Sequence, residues 1–427
     1  MKYPKKIVGS ICSSVVLLGA CVAPAFAALE LKYDMELATK DKTETCENVL
    51  LLGKGAIINS KRGRITLIDI ANKQADLMGP EVGEKQYLQY SLHSLVAMQA
   101  AMLGAKKDDF AAAAFAGVSR PKTPFNPGIK VTESDNKVEF TYNNKTYVKV
   151  EFGEAFPSDR ERMMEKVYIF SYRLHPFVRT EILSRKKYVT SMVINDLNGE
   201  DGLTTTLKLK SKNENADEPK IPSDFQRVFN KNSPIYALQK IVIEPETLPP
   251  LPARQDIFDK SKKMIDEKKP VDAFLTMMEY GLTTGDQAIA ENKVILDVAK
   301  KDPTVIKIAQ NIVPESEAKA HEALKELSSI DQSKLEKGYL IEIFKADIEE
   351  QLGQDATPEF VKALSKNPYI TGAYKDLGDN LFGQNDFINA WGCYEMFRKI
   401  HAKHLFIADI EESEKALEKT FPECYSH

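Results

Sequence analysis

The chain has 427 residues, with six histidines, five cysteines and one tryptophan among the residues most able to do chemistry. His401 and His404 stand one helical turn apart and could share a face. With Cys424 and His427 they could compose a metal set. A metal site must hold its ligands in place beforehand, which the last residues of a chain do poorly, so solvated surface histidines are expected. His93 and His175 are the remaining candidates for acid–base work in the first half; His175 precedes Pro176 in an apolar context and reads as structural. Cys46 lies between Glu44 and Glu47, whose charges oppose thiolate formation and so argue against a nucleophile. The carboxylate pairs Glu349-Glu350 and Glu411-Glu412 read as solvated helix faces. There is no Gly-x-Ser-x-Gly elbow, no Gly-x-x-x-x-Gly-Lys loop, no His-Glu-x-x-His and no Cys-x-x-Cys. Gly53-Lys54-Gly55 is too short for a phosphate loop and reads as a hairpin edge. No catalytic residue, metal or cofactor is expected.

The start of the chain says where such residues would work. Lys2, Lys5 and Lys6 precede an uncharged stretch from Ile7, which ends in the small-x-small run Ala25-Phe26-Ala27. That is the pattern of an export signal over residues 1–27, cleaved after Ala27. Two alternatives stay open. The stretch to Leu29 is long enough for an uncleaved anchor. Leu18-Gly19-Ala20-Cys21 is similar to the lipobox of bacterial lipoproteins, which would attach the protein to a membrane through Cys21. Loss of the three lysines takes the net charge from −4 to −7, which argues against nucleic acid as a partner. Outside the leader, Cys46, Cys393 and Cys424 remain. In an oxidising compartment Cys393 and Cys424 either form a disulfide or stand as unrelated thiols.

The elements that position these residues divide the chain. With 43% hydrophobic and 28% charged residues it is ordinary for a folded protein. Residues 28–244 read as an α+β domain. Strands are expected at Leu29–Thr39, Arg64–Ile70, Ala75–Met78 and Thr204–Lys210, and a hairpin at Val138–Phe152 turns at Asn143-Asn144-Lys145. Helices are expected at Glu84–Leu103, at Asp108–Ala116, and over Asp159–Arg185 with a break at His175-Pro176. Ser211–Asp224 reads as a loop. Residues 245–252 carry Pro245, Pro249, Pro250 and Pro252, a stiff extended linker. From 253 to 427 alternation gives way to short amphipathic helices punctuated by Gly285, Pro303, Pro314, Pro358 and Pro368.

Within that helical part, Pro368, Tyr374, Leu377, Gly378, Ala390 and Tyr394 follow one another at the spacing of a helix pair. The segment resembles the tetratricopeptide repeat. Upstream the match is partial, through Ala356, Phe360 and Ala363, with Phe344 at the glycine position, and through Ala273 and Met277; residues 286–335 do not follow the period. The resemblance implies an α-helical array with a concave face for a protein or peptide partner. Trp391 is a candidate anchor there, or packs on the next helix. The hairpin Arg64–Met78 and the helix after it are similar to the open half-barrels that carry lipids or lipoproteins in the periplasm.

The expectation is an exported α+β protein with a helical C-terminal half that binds a protein or lipidated partner in the cell envelope. The alternatives are an enzyme with an unfamiliar site in the first half, or a self-assembling envelope component. A carrier predicts an apolar cavity under the sheet; an enzyme predicts a buried His93, His175 or acid with a shifted pKa.

Overall fold

A computed structural model of the chain describes residues 27–105, 109–118, 128–197, 202–286, 297 and 300–426. Residues 1–26, with Cys21, and His427 lie outside the described residues. Among those described, no helix is long and apolar enough to cross a membrane.

The first half is built on one twelve-stranded sheet. Its strands are β1 Ala28–Ala38, β2 Thr43–Leu52, β3 Ala56–Lys61, β4 Arg64–Asp69, β5 Gln74–Met78, β6 Gln86–Ser91, β7 Lys130–Ser134, β8 Lys137–Tyr142, β9 Lys145–Ala155, β10 Lys187–Asn195, β11 Thr204–Ala216 and β12 Gln226–Val228. They lie in the order β12-β6-β5-β4-β3-β2-β1-β11-β10-β9-β8-β7. Neighbours are antiparallel, except that β12 runs parallel to β6. The first strand therefore sits near the middle, with β2 on one side and β11 on the other. Period-two burial follows: Leu29, Leu31, Tyr33 and Met35 of β1 are buried, while Asp34 and Glu36 between them face water.

Four helices cover the buried face: α1 Leu92–Ala105, α2 Asp109–Ala116, α3 Glu161–Lys166 and α4 Pro176–Ser184. Leu92, Phe110, Met163, Tyr168 and Phe177 pack into one core with the inward strand residues. After α3 the backbone widens over Val167–Ser171, where Tyr172 N–H donates to Val167 O at 3.2 Å.

All the expected strands are present, and the α+β class holds. Two expectations are corrected. The helix expected from Glu84 starts only at Leu92, because Leu88 and Tyr90 pair with Leu77 and Ala75 of β5. Leu88, Leu92 and Leu95 satisfy helical spacing, yet a partner strand overrides the local pattern. The loop expected from Ser211 is strand as far as Ala216, because β1 lies alongside and supplies its ladder from Ala28 to Lys32. Strands β2, β3, β7, β10 and β12 were not expected.

A helix α5, Tyr236–Val242, precedes the proline run. After it come α6 Arg254–Asp266, α7 Pro270–Thr284, α8 Pro303–Asn311, α9 Glu317–Ser328, α10 Tyr339–Gln351, α11 Thr357–Leu364, α12 Thr371–Gly383, α13 Phe387–His401, α14 Ile407–Thr420 and α15 Pro422–Tyr425. The breakers act as expected. Gly285 ends α7 at φ 72°, and Asp302 caps α8 by accepting from the Thr304 and Val305 N–H groups with Pro303 in the first turn.

The helices share a second core, and the two cores exchange elements. Ala97 of α1 and Ile235, Leu238 and Val242 around α5 belong to the helical core. Phe421 and Cys424, from the far end of the chain, belong to the sheet core. This separates the two cysteines. Cys393 is buried in the helical core and Cys424 in the sheet core, both as free thiols, so no Cys393–Cys424 disulfide is formed.

Candidate binding sites

The repeat-motif residues converge on the α12–α13 pair. Tyr374, Leu377 and Ala390 are fully buried, and Tyr394 nearly so. Tyr374 Oη donates to Pro368 O at 2.9 Å, and Tyr394 Oη donates to Asp379 Oδ1 at 2.7 Å. A Cβ on Gly378 would fall 2.4 Å from Tyr394 Cε1, so the glycine lets the tyrosine ring lie against the helix backbone. These residues build the pair and present nothing to a ligand. Trp391 packs against the following helix: it is 4% exposed, and its Nε1 donates to Glu414 of α14 at 3.2 Å.

The histidines take separate places. His404 is fully buried, against the expectation of a surface residue. Its Nδ1 accepts the Phe406 N–H and its Nε2 donates to Leu282 O at 3.2 Å. His401 stacks edge-on to it at 5.8 Å. Among the described residues no three His, Cys, Asp or Glu side chains are placed to hold a metal. His175 caps α4 by accepting the Phe177 N–H at 3.1 Å, and its ring lies on Phe110 at 5.1 Å. Burial, with help from Arg179, pushes its pKa down to about 4, so it is neutral at pH 7. Burial raises the Cys393 and Cys424 thiols, leaving both protonated and unreactive.

One group of acids departs from the solvated faces expected of it. Asp347 and Glu350 on α10 approach Asp376 and Asp379 on α12. Burial and these mutual charges push Glu350 up to about 7 and raise Asp347 well above the carboxylate range. Asp376 rises to about 7 for the same reasons, although Lys375 opposes the shift. The exposed-looking Glu349-Glu350 pair is thus partly desolvated; this could not be read from one helix, because the opposing carboxylates lie on another.

Under the sheet there is an apolar cavity of about 240 Å³. Phe110 of α2, Tyr147 of β9, Tyr172, and Ile194, Leu197 and Leu203 around the β10–β11 turn line it. Tyr142 stacks on Phe110 at 3.8 Å and Tyr147 meets it edge-on at 5.4 Å, which holds the aromatic wall rigid. Ser171, Arg173, Asn195, Asp196 and Thr205 add polar groups to the lining. A cavity under the sheet is what the carrier reading predicts; its lining residues were not legible in the sequence, because they come from segments up to about 95 residues apart.

No protein-family profile matches the chain, and no curated protein matches it. A solved structure does. It is a LolA superfamily protein from Nitrosomonas europaea, 11% identical, with the match covering 46% of this chain and 88% of that one at a TM-score of 0.20. At that score the likeness carries no argument about function, which rests on the geometry of the site.

Proposed function

We propose that this is an exported, non-catalytic binding protein of the bacterial cell envelope. Its sheet half takes the apolar chain of a lipid or lipidated partner, and its helical half, built of tetratricopeptide-like pairs, docks a protein. The observation that carries the first part is the aromatic and aliphatic cavity at Phe110, Ile194 and Leu203. A concave site whose lining surface is mostly apolar is what an acyl chain needs, since each buried methylene contributes about 0.8 kcal/mol. The export part rests on the leader, and mass spectrometry of the mature N-terminus tests it: a start at Ala28 fits cleavage, a lipid-modified Cys21 fits attachment.

The enzyme reading has three buried residues of the first half in its favour: Asp76, which burial raises to about 6, His93, whose Nε2 lies 2.8 Å from Glu418, and the shifted His175. The His175 Nδ1 is committed to capping α4, and its Nε2 has no hydrogen-bond partner among the described residues, so no nucleophile or orienting acid is linked to it.

The test is binding of a dansyl-labelled fatty acid followed by its fluorescence. The protein is expected to bind it saturably. Leu203→Arg at the half-exposed rim is expected to weaken binding about tenfold, the cost of setting a charge against an acyl chain. Unchanged affinity in Leu203→Arg would remove the cavity from the site, and no saturable binding at all would sink the acyl reading.

A further inference from the structure

A second and more polar cavity, of about 300 Å³, opens where the β6–β12 edge of the sheet meets α13 and α14. Gln89, Tyr90 and Arg227 line it from the sheet side; Gln239, Trp391 and Glu395 line it from the helical side. α13 closes in tightly because residue 392 is glycine: a Cβ there would fall 2.9 Å from Gln239 Nε2 and from Ile235 Cδ1.

The cations at this cavity are already committed. Arg227 grips Glu395 with two bonds of 2.6 and 2.7 Å, Arg398 donates to Glu414 at 2.7 Å, and Lys73 reaches Glu418 at 2.6 Å. An anionic ligand would have to break one of these pairs, and separating a half-buried ion pair is costly. What the walls offer freely is uncharged hydrogen bonding. The Gln239 amide and the Tyr90 hydroxyl have no side-chain hydrogen-bond partner among the described residues. Gln89 is held in place from behind, donating to Gln74 Oε1 at 3.2 Å and to Asp76 Oδ1 at 3.1 Å. Two rings of the lining are packed from within: Trp391 has His93 stacked against it at 6.3 Å, and Phe229 lies beneath the Arg227 guanidinium at 5.2 Å.

We infer that this cavity is a binding site for a neutral saccharide. A sugar offers vicinal hydroxyls that both donate and accept, which planar amide, carboxylate and guanidinium groups meet in pairs. An uncharged ligand leaves the ion pairs of the walls intact. The volume is at the lower end of the range for small-ligand pockets. The inference is independent of the acyl cavity, which lies under another part of the sheet.

Trp391 is the only tryptophan in the chain, so intrinsic fluorescence reports on this cavity directly. The full-length protein would be titrated with glucose, maltose, N-acetylglucosamine and its β-1,4 dimer, with glucose 6-phosphate as the anionic comparison. At least one neutral sugar is expected to shift the emission saturably. Gln239→Ala and Tyr90→Phe, each removing one uncommitted group, are expected to weaken that sugar about tenfold and about threefold, with thermal unfolding unchanged. The inference is overturned if no neutral sugar gives a saturable change, if glucose 6-phosphate binds tighter than glucose, or if both variants bind as the parent does.

Discussion

Gly378 and Gly383 lie on the same helix, α12, and differ in what surrounds them. A methyl at 378 would meet the Tyr394 ring at 2.4 Å, whereas one at 383 would meet nothing within 4 Å. Helix propensity alone favours alanine over glycine by about 1 kcal/mol at either place. At 378 that gain is outweighed by overpacking, which costs about 1–3 kcal/mol. Gly378→Ala is therefore expected to lower the melting temperature and Gly383→Ala to hold or raise it, as differential scanning calorimetry would show. Equal effects would mean that the Tyr394 contact does not set the helix spacing. The residues of this contact were legible in the sequence because Tyr374, Gly378, Ala390 and Tyr394 act within one helix pair. The side chains of the polar cavity were not: Tyr90, Gln239 and Trp391 are brought together by tertiary packing, and no local pattern marks them. His404 was misread for the same reason, since Leu282, which accepts its proton, is 122 residues away.

Two elements, α10 and α12, carry the clearest pH dependence. Glu350 and Asp376 have folded-state values of about 7, well above those of an unfolded chain. The folded state thus binds more protons than the unfolded state between about pH 4 and 7, and stability falls as pH rises through that window. The loss is complete above pH 7, and acidification to pH 5 restores most of it. Asp376→Asn, which keeps the shape without the charge, is expected to raise the melting temperature at pH 8 by a few degrees. It should also flatten the slope between pH 5 and 8. A parent protein equally stable at both pH values would show that these carboxyls are more hydrated than their surroundings indicate. Neighbouring elements likewise decided where the element boundaries fall. The hairpins β4–β5 and β8–β9 were legible because turn and alternation lie in adjacent residues. β6 was not, because only its pairing with β5 separates it from the helix it precedes. The second half of β11 is polar on both faces and is strand because β1 runs beside it.

At the scale of the molecule, the proline run suggested two separate bodies, and its position in the chain was plain. The packing that crosses it was invisible, because it depends on where the chain returns. α14 and α15 come back over the first half. Phe421 and Cys424 enter the sheet core, and Lys166 of α3, fully buried, donates to Glu423 O at 2.5 Å and faces Ser426 Oγ at 3.4 Å. His93 and Lys73 both reach Glu418 of α14, while α1 contributes Ala97 to the helical core. Each half therefore completes the other, and the two are expected to unfold together. Phe421→Ala tests this. Removing a buried phenylalanine costs about 3–5 kcal/mol. If the halves are coupled, that cost appears in the helical half as well as in the sheet. Trp391 emission reports the helical core, and the β-structure component of the infrared amide I band reports the sheet. In the variant both probes are expected to move to the same lower temperature, in a single transition. A sheet signal that melts early while Trp391 keeps its parental midpoint would mean that the returning segment is an ornament on the sheet, and that the two cores stand independently.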